Sequence, residues 1–296
     1  MKTAGAVVIA ERRSRAADYV TLAKPRLNLL VVASALAGYV MGGGEMSDAV
    51  RVLAMLAGTG FVAGGASALN QVYERGTDAL MRRTRLRPMA DGRIEIQDAV
   101  VYAVGLSLAG LVLLALLVNP LSAAVALATL LSYVAIYTPL KLRTSLATVI
   151  GAIPGALPPV IGWAAATNGL DRGAWILFGI VFLWQLPHFL AIAWMYREDY
   201  ARAGFPMLAV IEPDGRSTAR QSVLYAAALL PLSLGPTLVG IATTAYFAGA
   251  LVLTLAFLGL TLRFAKTRSV ADARRVFLGS ILYLPILWVL MIAGRT

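Results

Sequence analysis

Three oxygen-bearing side chains stand four residues apart in LNQVYERGTDALMRRTRLRP (69–88): Asn70, Glu74 and Asp78. On an α-helix each step of four turns the chain by only about 40°, so the spacing predicts that all three share one face. Arg75, Arg82, Arg83, Arg85 and Arg87 accompany them. Carboxylate and amide oxygens suit Mg2+, which keeps several waters and usually binds through one or two carboxylates plus substrate phosphates. Guanidiniums grip phosphate oxygens through paired, planar N–H donors. Acids that hold a metal, beside cations that hold a polyanion at the end of an apolar run, suit a diphosphate with an apolar tail. The competing reading pairs Glu74 and Asp78 with Arg75 and Arg82 in a structural salt-bridge loop, and spacing alone does not separate the two.

A second mixed-charge stretch, FLWQLPHFLAIAWMYREDYARAGFPML (182–208), contains the only histidine. His188 and Asp199 are eleven residues apart. On one continuous helix that is within about 20° of registry and about 16 Å along the axis. Asp199 would then stand level with Glu74 and Asp78 as a second half-site, with His188 deeper in the bilayer. A buried imidazole can shuttle protons, donate a hydrogen bond or ligate iron; it can equally be a packing residue. The short loop YTPLKLRT (137–144) adds Lys141 and Arg143, which suit a phosphate and serve equally as topology signals.

These residues need elements to carry them. Of the 296 residues, 59% are hydrophobic and only 14% charged, with a mean hydropathy of +0.76. A soluble domain is nearer half apolar and a quarter charged. The apolar residues fall in blocks of about 20, enough to cross a hydrocarbon layer, without the alternation of a membrane barrel. The expected fold is an all-α integral membrane protein of nine transmembrane helices, near 27–43, 51–73, 98–118, 121–138, 146–166, 174–196, 221–240, 245–264 and 276–293. The fifth, with Pro154, Pro158 and Pro159 and three glycines, must bend and reads as a cavity wall.

Residues 1–26 read as a cytosolic extension ending in an interfacial helix, and 27–296 as the membrane domain. The apolar AGAVVIA (4–10) runs straight into ERRSR without a cleavage site, so it is not read as a signal peptide, and Glu11 and Asp18 argue against a transit peptide. With the N-terminus inside, the outer side keeps only Arg51, Arg172 and Arg295, so 23 of 26 basic residues lie inside. That bias orients insertion and calls for no nucleic-acid partner. The absence of cysteine excludes disulfides, thiolate metal sites and cysteine nucleophiles.

Taken together, LAKPRLNLL (22–30), the 69–88 stretch, YTPLKLRT, GAIPGALPPVIGW (151–163) and WQLPHFLAIAWMYREDYARAGFPML (184–208) resemble the UbiA superfamily of intramembrane prenyltransferases, and within it the haem-modifying branch. The resemblance implies a helical bundle around a central cavity, with Asn70, Glu74, Asp78 and Asp199 as catalytic and Mg2+-binding residues. It implies Arg82, Arg83, Arg87, Lys141 and Arg143 on the diphosphate. Glu74 stands where many members have Asp, and the second acidic motif is reduced around Tyr196, Glu198, Asp199 and Tyr200.

The implied reaction joins the farnesyl group of farnesyl diphosphate to a vinyl group of haem b, with water added. His188 is the candidate for the haem iron or a propionate. Tyr73, Tyr137, Trp194, Tyr196 and Tyr200 would face the allylic cation, each contributing about 0.5–2 kcal/mol by cation–π attraction. The short N-terminal extension reads as a bacterial inner-membrane address ahead of a mitochondrial inner membrane, with the N-terminus cytoplasmic and the C-terminus outside. Haem-handling or oxidase-assembly proteins are candidate partners.

Two rivals stand beside this reading: a UbiA-type enzyme with a quinone or chlorophyll-precursor acceptor, and a lipid-anion transporter. A transporter would more often show paired broken spans in two related halves, and the proline-rich fifth span has no counterpart here. A purely structural membrane subunit would leave the polar clusters as an unexplained cost.

Overall fold

The computed structural model describes residues 14–296, so most of the expected extension, including 4–10, lies outside the described residues. The described chain is helical: α1 (Arg15–Leu22), α2 (Pro25–Met41), α3 (Ala49–Leu80), α4 (Ile96–Leu117), α5 (Pro120–Leu131), a π-helical turn (Ser132–Tyr137), α6 (Thr138–Leu140), α7 (Ala147–Ala156), α8 (Pro158–Thr167), α9 (Arg172–Met195), α10 (Arg197–Arg202), α11 (Leu208–Ile211), α12 (Arg216–Leu238), α13 (Thr244–Thr267) and α14 (Val270–Ala293). Among the described residues eight spans are long and apolar enough to cross a membrane, and α1 with α2, bent by 42° where they meet, make a ninth when taken together. Eight of the nine expected spans are thus present outright, and the first as part of that bent pair. The fifth breaks at Leu157 between α7 and α8, where the Pro158–Pro159 pair begins. Proline lacks the N–H that would continue the preceding hydrogen-bond ladder.

Apolar lipid tails give helices little hydrophobic reason to associate, so close backbone packing between small residues does that work. A Cβ at Gly162 of α8 would collide with the Ala35 carbonyl of α2, and one at Gly38 with the Pro159 carbonyl. Gly65 of α3 meets Ala103 and Ser107 of α4 in the same way. The last three spans are joined by buried hydroxyls. Thr254 Oγ1 lies 2.9 Å from Ser233 Oγ and 2.8 Å from Tyr283 Oη, and Tyr246 donates to the Ser233 carbonyl at 2.6 Å.

The expected interfacial helix is α1, but it is tied into the structure. Asp18 is buried and accepts from Arg93 at 3.0 Å, while Gln71 of α3 donates to the Leu22 carbonyl at 2.8 Å. The basic loop after α3 is thereby pinned from both ends.

One expectation fails. The His188–Asp199 register assumed a single helix, but α9 stops at Met195. Tyr196, at φ −114° and ψ 23°, separates it from the six-residue α10. The rotation per residue does not carry through such a break, so the two side chains share no face by register. Gly204, at φ +75°, then turns the chain back, a conformation glycine adopts without a Cβ clash. Phe205 and Met207 pack against Met81 and Tyr200.

Candidate active site

Helix α3 runs unbroken to Leu80, so Asn70, Glu74 and Asp78 do lie on one face, and all three are buried. They line a cavity of about 260 Å³ together with Arg83, Arg87, Tyr137, Lys141, His188 and Tyr200. A larger hollow of about 630 Å³ at Ile211–Arg220 is more open and holds none of the expected residues.

The acids are paired, but not as the salt-bridge reading expected. Glu74 accepts from Lys141 at 2.9 and 3.1 Å, and Asp78 Oδ2 accepts from Arg87 at 2.7 Å. Arg75 instead donates to the Val72 carbonyl, and Arg82 is exposed. Thr84 makes the Asp78–Arg87 contact reachable by donating to the Asp78 carbonyl at 2.8 Å, which curls the loop back over the helix end. A buried carboxylate is costly unless paired. Asp78 Oδ1 is nevertheless buried without any hydrogen-bond partner. An orphaned anionic oxygen in a cavity beside Glu74 and the Asn70 carbonyl oxygen fits a small hard cation.

The π-helical turn decides where Lys141 goes. The extra residue per turn re-aims the end of the fourth span, as such insertions do at functional sites. Thr138 Oγ1 donates to the Tyr133 carbonyl at 2.9 Å and accepts from Asn70 Nδ2 at 3.3 Å. The Asn70 oxygen is thereby aimed at Lys24, whose Nζ stands 3.4 Å away.

Lys24 and Thr138 are the residues that sequence reasoning missed. Lys24 sits at the α1–α2 joint, outside the spans, in a left-handed conformation (φ 48°) that costs a non-glycine residue roughly 1–2 kcal/mol. Burial, reinforced by the nearby Arg87, pulls its ammonium down to about 7. The Lys-Pro pair opening a span was its only sequence signal.

The remaining expected residues are scattered. Asp199 does not line the cavity; its carboxylate pairs with Arg202 at 3.2 Å. Among the described residues no three His, Cys, Asp or Glu side chains gather as a metal cluster. The expected four-residue set is therefore not assembled in this arrangement. Arg82 and Arg143 are exposed and away from the cavity. Tyr196 lies outside it too, under Arg83, whose guanidinium is 5.2 Å from that ring and 3.2 Å from the Tyr200 hydroxyl. Tyr73 is exposed, and Trp194 is covered by Arg197 at 4.6 Å. Of the five expected aromatics, the cavity keeps Tyr137 and Tyr200.

The fold and this site define a class. The UbiA prenyltransferase family matches residues 31–289, and the chain belongs to that family as a membrane-embedded prenyltransferase. It is 50% identical over 287 residues to the protoheme IX farnesyltransferase of Solibacter usitatus, covering 94% of this chain and 98% of that one. It is 44% identical to the protein of that name from Myxococcus xanthus, over 91% of each chain. Among solved structures it is similar to a digeranylgeranylglyceryl phosphate synthase (TM-score 0.78, 17% identity, 94% and 98% coverage). It is also similar to a UbiA homologue from Archaeoglobus fulgidus bound to DMAPP and Mg2+ (TM-score 0.70, 15% identity, 93% and 99% coverage).

Proposed function

We propose that this chain transfers the farnesyl group of farnesyl diphosphate to a vinyl group of haem b, with addition of water, giving haem O and diphosphate. One observation carries the reading. A single cavity holds buried carboxylates ringed by Lys24, Arg83, Arg87 and Lys141, and also holds the chain's one histidine. Likeness to two protoheme IX farnesyltransferases over nearly the whole chain supports the same acceptor.

Diphosphate leaves readily only when its charge is neutralised. Arg83, Arg87 and Lys141 supply cations at the leaving group, and Lys24 adds a fourth when protonated. The pairs Lys141–Glu74 and Arg87–Asp78 hold those cations in place before substrate arrives, so little reorganisation remains as charge develops. Asn70, Glu74 and Asp78 would hold Mg2+, which would supply further neutralisation of the departing diphosphate. Asp199, which does not line the cavity, would join that set only by moving into it. Tyr137 and Tyr200 present ring faces toward the allylic carbon as positive charge grows. The vinyl group attacks that carbon as its C–O bond to diphosphate breaks, water adds to the cation left beside the porphyrin ring and loses a proton, and His188 contacts the haem.

Likeness to bacterial relatives supports an inner-membrane address, and the basic bias supports a cytoplasmic N-terminus with the C-terminus outside. Haem-handling or oxidase-assembly proteins are the partner class that would supply haem and receive the product.

The test is direct. Purified protein is incubated with Mg2+ and farnesyl diphosphate, together with haem b or, in parallel reactions, a quinone or chlorophyll precursor, and each acceptor is analysed by mass. A gain of one farnesyl plus one water on haem supports the reading. Prenylation of a quinone or chlorophyll precursor with haem left unchanged overturns the acceptor and leaves the family standing.

A further inference from the structure

His188 of α9 lines the cavity, and its Nδ1 lies 2.7 Å from Ser280 Oγ on α14. A ring nitrogen in such a contact either gives or takes a proton, and Ser280 decides which. Its hydroxyl has one proton and stands 2.6 Å from the Phe277 carbonyl, in position to donate there. With the proton so placed, Oγ accepts from the imidazole. Nδ1 therefore carries the hydrogen, and in neutral imidazole the lone pair is left on Nε2. Among the described residues Nε2 has no hydrogen-bond partner.

Ser280 is itself fixed. It is fully buried, and its carbonyl accepts from Trp184 Nε1 at 2.8 Å. Trp184 sits one turn before His188 and stacks on it with ring centroids 5.7 Å apart, while Phe277 lies 5.1 Å away. Both elements that pack on the imidazole thus restrain its rotation as well as its tautomer.

We propose that His188 Nε2 is an axial ligand to the haem iron, and that Ser280 is the positioning residue that keeps its lone pair available. The inference rests on the haem reading above and sharpens it. An unprotonated Nε2 has nothing to donate to a propionate, whereas iron accepts its electron pair. The Nδ1 proton stays on its bond to Ser280, so ligation releases no proton. A metal-bound histidine whose other nitrogen is held in this way is both oriented and more basic.

The chain's single histidine makes the test specific. Full-length protein bearing no polyhistidine tag is labelled with 15N-histidine, placed in nanodiscs and given ferric haem b, then reduced. The expected result is an iron–histidine stretching band in the Raman spectrum that shifts with the label. Ser280→Ala should weaken haem affinity about tenfold or more and move that band, with Ser280→Thr restoring both. His188→Gly should lose the band and regain it with free imidazole, which reports on the pocket even if Ser280→Ala folds poorly. Farnesyl diphosphate binding, unchanged in Ser280→Ala and Ser280→Thr, is the folding control.

Bound haem whose spectrum ignores the label overturns the iron ligand while the acceptor reading survives. Unchanged affinity and band in Ser280→Ala overturn the positioning role. No haem binding at all, with no farnesyl gain on haem, overturns the acceptor reading and the ligand with it.

Discussion

Two acidic stretches at the membrane boundary look alike in sequence and fare differently in the fold. Asn70, Glu74 and Asp78 ride one 32-residue helix, so their four-residue spacing becomes a shared buried face. Glu198 and Asp199 lie beyond a helix break, on a six-residue segment whose Tyr200, not its acids, lines the cavity. The first pair of acids recruits cations from afar, Lys141 across 67 residues and Arg87 across nine. Asp199 finds only Arg202, three residues on and 45% exposed. Exposed pairs of that kind contribute little, whereas the pairs on Glu74 and Asp78 hold charge where water is scarce. Angular registry is informative only as far as the helix is continuous.

The contrast can be broken by substitution. Asp78→Asn removes the one buried carboxylate with a free oxygen, and turnover should fall about 10²–10³-fold while the protein stays inserted and monodisperse. Full activity would remove the metal-site argument. Lys141→Met and Arg87→Ala should each weaken farnesyl diphosphate binding about 10–100-fold, since each also leaves a buried carboxylate unpaired. Arg82→Ala and Arg143→Ala should stay within about threefold, as titrations in nanodiscs would show. Asp199→Asn should cost on the order of tenfold in turnover. A loss equal to that of Asp78→Asn would erase the difference between the stretches and bring Asp199 onto the ion in the bound state.

A dependence on pH sharpens the comparison through Lys24. With its ammonium drawn down to about 7, the side chain is mostly neutral at pH 8 and charged at pH 6. A bound diphosphate favours the charged form, so affinity should rise as pH falls from 8 to 6, by at most about tenfold from this group. Calorimetry in two buffers at pH 8 should show proton uptake on binding that Lys24→Met lacks. Equal uptake in the variant would assign the proton elsewhere.

Much of the protein was legible in one dimension. Apolar blocks about 20 residues long, the Asn70–Glu74–Asp78 spacing and the arginines after them depend on local periodicity and on the hydrocarbon thickness, and among the described residues they carried through to eight membrane-length helices with a bent ninth and to a buried acidic face. Which cations meet those acids was not legible. Lys141 arrives through a π-helical turn, Arg87 through a loop curled by Thr84, and Lys24 through a left-handed residue before a proline. Nor was the break at Tyr196, or the Ser280 hydroxyl that reaches His188 from 92 residues away. Periodicity sets which side of a helix a residue occupies. Only packing sets which other helix that side meets, because charge pairing and hydrogen-bond direction depend on ångström-scale contacts between segments far apart in the chain.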